Sequence, residues 1–93
     1  MMQKYIWETP EEITMNVSNH MKRVRKRLKI SRRRLSEISG VSYGSIKRFE
    51  ETGNISFLSL TKIAIALDTP EDIKRIFAEV PYKSIQEVMN EHK

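Results

Sequence analysis

The sequence predicts an all-α fold: a compact domain of five helices with a short additional helix at the C-terminal end. Three observations carry this prediction. A serine or threonine precedes each predicted helix, where its side-chain oxygen can accept a free N–H of the first turn. Apolar residues then recur three or four positions apart, which is typical of a helix with one buried face. Neither a hairpin signal nor an internal repeat occurs in the 93 residues.

The first helix is predicted over residues 10–29, and a break near Asn16 stays open. Thr9, Pro10 and Glu12 supply its start, as a capping threonine, a proline at the first helical position and a glutamate in the first turn. The apolar residues that follow are spaced by four, four, three and four positions: Ile13, Val17, Met21, Val24 and Leu28. This spacing predicts one helix face that packs on a core.

Two short helices joined by a tight glycine turn are predicted at about 32–39 and 43–51. Ser31 and Ser42 are their N-caps, and Gly40 stands where a helix that ends in a left-handed residue favours glycine. Six positions match a helix-turn-helix in order: Leu35, Ser36, Gly40, Val41, Ile46 and Phe49. Because this spacing is that of a DNA-binding helix-turn-helix, it predicts the same supersecondary structure here.

The remaining chain predicts two further helices and a short terminal one. Ser56 caps a fourth helix of about 57–67, and Thr69 opens a fifth that reaches about Glu79. Ser84 begins a last capping box. The apolar positions of the fourth and fifth helices are Leu60, Ile63, Ala64, Leu67, Ile73, Ile76 and Phe77.

These elements predict three segments along the chain. Residues 1–9 form an N-terminal arm, residues 10–80 form the helix-turn-helix domain with its motif at 31–53, and residues 81–93 form a C-terminal tail with the short helix. Residues 4–7 of the arm are interpreted either as disordered or as a short extended segment, and the sequence favours neither.

The composition argues against several classes of protein. Cysteine is absent, which excludes a disulfide framework and a thiolate metal site. No apolar run approaches the roughly 20 residues that span a bilayer, and the N-terminus lacks a signal-peptide pattern. His20 and His92 have no neighbours at ligand spacing, and the carboxylates cluster at helix starts, where capping explains them. We expect a cytoplasmic protein with no enzymatic activity, no metal, no cofactor and no membrane partner.

The positive charge is concentrated in one segment. Residues 20–50 carry eleven lysines or arginines against Glu37 and Glu50, whereas the segments on either side are neutral or mildly acidic. The formal net charge of the whole chain is +5. A basic segment between acidic ends indicates a surface for a polyanion.

Three arginines, Arg32, Arg33 and Arg34, occupy the first turn of the second helix. The helix dipole disfavours cations there by about 0.3–1 kcal/mol each, so the cluster favours a functional interpretation over a merely solvated face. The free N–H groups and the arginines together suit a DNA phosphate. The predicted phosphate contacts are Arg32, Arg33, Arg34, Ser42 and Asn54.

The third helix is predicted to enter the major groove and to contact bases through its outward-facing residues: Tyr43, Gly44, Lys47 and Arg48. Arg48 is the best candidate, because its guanidinium pairs with guanine O6 and N7. Lys47 suits a phosphate or a base edge, and Tyr43 suits a thymine methyl group or a phosphate. Gly44 either lets the helix approach the groove closely or reflects its position near the helix start.

These positions resemble the Cro/C1-type, lambda-repressor-like (XRE) helix-turn-helix family over roughly residues 17–68. The resemblance implies a lambda-repressor-like DNA-binding domain. Arg32 lies at the position of a glutamine that contacts a phosphate, and Tyr43 replaces a second usual glutamine, so no operator sequence can be transferred. Glu50 matches an acid that pairs with an arginine on the first helix, which implies a structural ion pair with Arg25.

A narrower similarity involves segments 45–50, 52–53, 73–77 and 82–85, which look like those of small regulators encoded beside toxin genes, including the genes of HipA-type kinases. Two functions follow. The leading one is a sequence-specific transcriptional regulator, a repressor, that binds an inverted-repeat operator in double-stranded DNA as a homodimer. The alternative is an antitoxin that binds a toxin protein and autoregulates its operon.

The apolar residues near the C-terminus exceed what a five-helix core needs. The predicted dimer interface consists of Ile73, Ile76, Phe77, Val80, Tyr82 and Ile85. Packing against the fourth helix explains several of these residues equally well, so both interpretations stay open.

Overall fold

The computed structural model describes residues 8–78, and this part of the chain forms five helices and no strand. In chain order the helices are α1 (Pro10–Arg27), α2 (Arg32–Ser39), α3 (Tyr43–Thr52), α4 (Phe57–Ala66) and α5 (Pro70–Lys74). The all-α fold predicted from the sequence is therefore confirmed. The predicted C-terminal helix lies outside the described residues.

Side-chain caps begin the first four helices as predicted. Thr9 and Glu12 form a reciprocal capping box at the start of α1. Ser31, Ser42 and Ser56 each accept a hydrogen bond from the backbone N–H three residues further on. Helix α1 is unbroken, and it ends two residues earlier than predicted because the chain turns after Arg27.

The prediction for the fifth helix is wrong in its cap and in its length. The Thr69 hydroxyl donates to the carbonyl oxygen of Ala64 at 3.3 Å and does not cap α5. Helix α5 ends at Lys74 instead of reaching Glu79. A helix of five residues without a side-chain cap is only marginally stable. Phe77 also adopts a left-handed φ of 57°, which is incompatible with a continuing right-handed helix.

The core lies between α1, α2, α3 and α4. Its buried apolar residues are Met21, Leu35, Val41, Ile46, Phe49, Ile63, Ala64 and Leu67. Helix α1 packs on α3, α2 packs on both α3 and α4, and α5 packs on α4.

The prediction of the buried face of α1 is only partly correct. Ile13, Val17 and Leu28 are all more than two-fifths exposed. Met21 is buried as predicted, and the other buried positions of α1 are Ser18 and Arg25, three residues before it and four residues after it. The apolar spacing identified the helix correctly. It did not identify the whole buried face, because two of the three buried residues are polar and apolar spacing does not detect them.

Two small residues let α3 lie close to α1. The fully buried Ser18 hydroxyl donates to the carbonyl oxygen of Phe49 at 2.7 Å. Gly53 ends α3 with a φ of +82°, and a Cβ at this position would lie 3.0 Å from Thr14 Oγ1 and 3.2 Å from the backbone nitrogen of Met15. Because both the φ and the space require glycine, Gly53 fixes how closely the end of α3 approaches α1.

Candidate nucleic-acid interface

Helix α3 divides cleanly into a buried face and an exposed face. Ile46 and Phe49 are almost completely buried in the core. The four residues predicted to contact bases all lie on the exposed face: Tyr43, Gly44, Lys47 and Arg48. The structure therefore brings them together on the first two turns of one helix, which is the part of a recognition helix that meets base edges.

A buried ion pair holds the exposed face in place from beneath. Arg25 Nε donates to Glu50 Oε2 at 2.7 Å, and Arg25 Nη2 donates to Glu50 Oε1 at 3.0 Å. Arg25 Nη1 also donates to the carbonyl oxygen of Ile30 at 2.8 Å, beyond the end of α1. The fork of the guanidinium thus connects α1, α3 and the loop between α1 and α2. The pair that the family resemblance implies is present in the structure.

Arg32 completes this cluster, a role that the sequence did not predict. Its Nε donates to Glu50 Oε1 at 2.9 Å, so one carboxylate accepts from two arginines. Burial is the largest influence on Glu50 and favours its neutral form, but the hydrogen bonds from Arg25 and then Arg32 outweigh it. The net result is a pKa of Glu50 below its ordinary value of 4.5. The same hydrogen bond raises the pKa of Arg32.

A basic cleft lies beside this cluster, between the end of α1 and the starts of α2 and α3. Its volume is about 540 Å³. Its lining residues are Lys22, Arg25, Lys26, Ser31, Arg32, Arg33 and Tyr43. Sequence reasoning did not assign a contact to Lys22 or Lys26. Their spacing of four residues, which places both on one side of α1, was the available signal.

Arg33 and Arg34 point to different partners although they are neighbours in sequence. The guanidinium carbon of Arg33 lies 5.4 Å from the centre of the Tyr43 ring. Arg34 Nη1 donates to Glu37 Oε1 at 3.1 Å within α2, and both of these side chains are more than half exposed.

The other two predicted phosphate contacts lie near opposite ends of α3. Ser42 is the exposed N-cap of α3, and its hydroxyl also donates to Ser45 Oγ at 2.9 Å. Asn54 is exposed just after α3 and shares a shallow depression of about 320 Å³ with Arg48 and Ser59. This surface joins the exposed face of α3 to the start of α4.

The model of the helix-turn-helix family HTH_3 matches residues 21–74, which is more than half of the 93-residue chain. The chain belongs to the helix-turn-helix family. The matched residues include all five helices at least in part, and the family is that of Cro/C1-type DNA-binding transcription regulators. No curated protein and no solved structure matches the chain.

This helix-turn-helix protein is a DNA-binding transcription regulator. Residues 8–78 contain no helix that is long and apolar enough to cross a membrane, and no cluster of side chains suited to hold a metal ion. Of the predicted dimer contacts, Ile73 is half-buried, Ile76 is about half exposed, and Phe77 is 94% exposed. Val80, Tyr82 and Ile85 lie outside the described residues.

Proposed function

We propose that the protein is a transcriptional repressor that recognises a specific sequence of double-stranded DNA with α3. The observation that carries this proposal is the exposed face of α3, where Tyr43, Gly44, Lys47 and Arg48 lie together. The opposite side of the helix is held by the buried ion pair of Arg25 and Glu50. A helix that presents an arginine, a lysine and an aromatic ring from a fixed support suits the major groove.

The charges around α3 support backbone contacts on both sides of the groove. The basic cleft gathers Lys22, Lys26 and Arg33 at one end of the exposed face, and Asn54 lies beside Arg48 at the other. Contacts with the phosphates of both DNA strands fix the orientation of a protein on a duplex, while contacts with the bases supply the specificity. We therefore assign the cleft to phosphates and the exposed face of α3 to base edges.

A homodimer on an inverted repeat completes the proposal. Ile76 and Phe77 expose apolar surface directly after α5, and Phe77 has almost no contact with the described part of its own chain. We propose that a second copy covers these residues; on an inverted repeat the two α3 helices of such a dimer would occupy successive major grooves, about 34–36 Å apart. We propose that such a repressor acts in the cytoplasm. An antitoxin role stays a prediction from the sequence.

The experiment that tests the proposed function is selection of bound duplexes from a random DNA library at about 150 mM salt, where nonspecific phosphate binding is weak. We expect enrichment of one inverted repeat. Repression of a reporter gene that carries this repeat in its promoter would then establish the direction of regulation. Recovery of duplexes without a common sequence would contradict the proposal.

The oligomeric state is tested separately, by sedimentation of the purified protein alone and with the selected duplex. We expect two protein chains on each inverted repeat, and Phe77→Ser to weaken this assembly. Binding of a single chain to each repeat would refute the dimer while leaving the assignment of α3 intact.

A further inference from the structure

The first turn of α2 contacts both ends of α3. Arg32 Nε donates to Glu50 in the last turn of α3 at 2.9 Å. Arg33, the next residue, lies above the ring of Tyr43, which is the first residue of α3, at 5.4 Å from the ring centre. Two consecutive arginines therefore hold the two ends of the helix that is assigned to base recognition.

The contact between Arg33 and Tyr43 is a cation–π interaction, since the guanidinium carbon lies within about 6 Å of the ring centre. Tyr43 is 41% exposed, so packing in the core does not by itself fix its ring. Arg32 lies near the Tyr43 hydroxyl, and Arg33 is the arginine that lies over the face of the ring. A side chain that is already held in place loses less conformational freedom when it binds a ligand. Arg33 therefore limits the orientations that the Tyr43 ring adopts.

We infer that Arg33 is a positioning residue for sequence recognition: it orients Tyr43 against one base pair of each half-site without contacting that base pair itself. This inference rests on the proposed function of α3. It also changes the expectation for Arg33. A residue that contacts only phosphates affects every duplex equally, whereas a residue that orients Tyr43 affects the choice between duplexes.

Arg34 supplies a matched control. It carries the same charge one residue further along, but its partner is Glu37 on α2 itself. Arg33→Ala and Arg34→Ala therefore remove the same charge from the same turn, and only the first removes a contact with α3. Because both side chains are exposed, we expect both variants to melt at the wild-type temperature.

The experiment measures the affinities of the wild type and both variants for the selected operator and for operators with each base pair replaced in turn. We expect R33A to lower discrimination at one base pair of each half-site by about two- to fivefold, the size of an exposed cation–π contact. R34A is expected to keep the wild-type discrimination at every base pair, whatever its uniform effect on affinity.

The same pair of substitutions is then measured in a Tyr43→Ala background. Without the ring we expect R33A to cause no further change in discrimination. A loss that is uniform over all base pairs, or one that persists in the Y43A background, overturns the inference and leaves the proposed function standing. A wild type that binds all duplexes alike overturns both.

Discussion

Within residues 8–78, arginines and glutamates meet at two places that have the same chemistry and very different surroundings. The Glu50 side chain is completely buried and receives hydrogen bonds from Arg25 and Arg32, whereas Arg34 and Glu37 meet on the surface with more than half of each side chain exposed. An exposed pair is screened by water and contributes little. A buried pair is different, because loss of one partner leaves the other charge without compensation. The charges beneath α3 are therefore sensitive to the loss of a partner, whereas those of the exposed pair are not.

The largest expected effect comes from Glu50→Gln. The substitution leaves Arg25 buried without a countercharge, and we expect it to lower the free energy of unfolding by about 3 kcal/mol. Urea unfolding of the purified protein measures this change. Glu37→Gln is the matched control, and we expect it to change stability by less than about 0.5 kcal/mol. Equal losses from the two variants would remove the distinction between buried and exposed pairs.

Arg48→Ala tests the opposite side of α3, where the charge is exposed. We expect a loss of about 1–3 kcal/mol in the preference for the operator over a duplex with one replaced base pair, since a bidentate arginine–guanine contact has this magnitude. Stability should stay within about 0.5 kcal/mol of the wild type. Lys62→Ala, which removes one exposed positive charge from α4, controls for charge alone. Operator binding by titration and urea unfolding separate the two quantities.

Gly44→Ala distinguishes two interpretations of this glycine. A Cβ at Gly44 meets no atom within 4 Å, so nothing inside the protein requires glycine here. We expect the alanine variant to be more stable by up to about 1 kcal/mol, the difference in helix propensity. A weaker affinity for the operator would show that the helix approaches the groove too closely for a methyl group. An unchanged affinity would show that close approach to the groove does not require glycine, and that Gly44 reflects its position near the start of the helix.

The smallest expected effect is a pH dependence. Because the pKa of Glu50 is lower in the folded protein than its ordinary value of 4.5, the unfolded chain binds more protons in acid. The stability that the ionised carboxylate contributes is complete above that value and declines as the pH falls towards the lowered pKa. Urea unfolding of the wild type and E50Q from about pH 7 to pH 3 should show their difference shrinking in acid. A difference that is constant with pH would contradict a lowered pKa.

The sequence predicted those parts of the fold that depend on neighbouring residues. Ser31, Ser42 and Ser56 cap helices because each oxygen meets an N–H three residues away. Thr69 has the same local pattern and fails, because a carbonyl of α4 engages its hydroxyl. Local spacing cannot reveal a competitor supplied by an adjoining helix.

The parts that the sequence did not predict depend on distant residues. Ser18 and Phe49 are 31 positions apart, and no period in the sequence indicates that a serine on α1 meets the carbonyl of Phe49. The pair of Arg25 with Glu50 was predicted only through the family resemblance. Arg32, at a position where the family has glutamine, gains a contact with Glu50 that the resemblance does not imply.

Gly53 has a consequence for protein engineering. Its missing side chain lets the end of α3 rest directly on Thr14 and Met15, so this contact involves none of the side chains at positions 44, 47 and 48. Substitutions at residues 44, 47 and 48 should therefore leave the placement of α3 unchanged. A library randomised at these three positions should retain the fold throughout, and its members should differ in the operators they select.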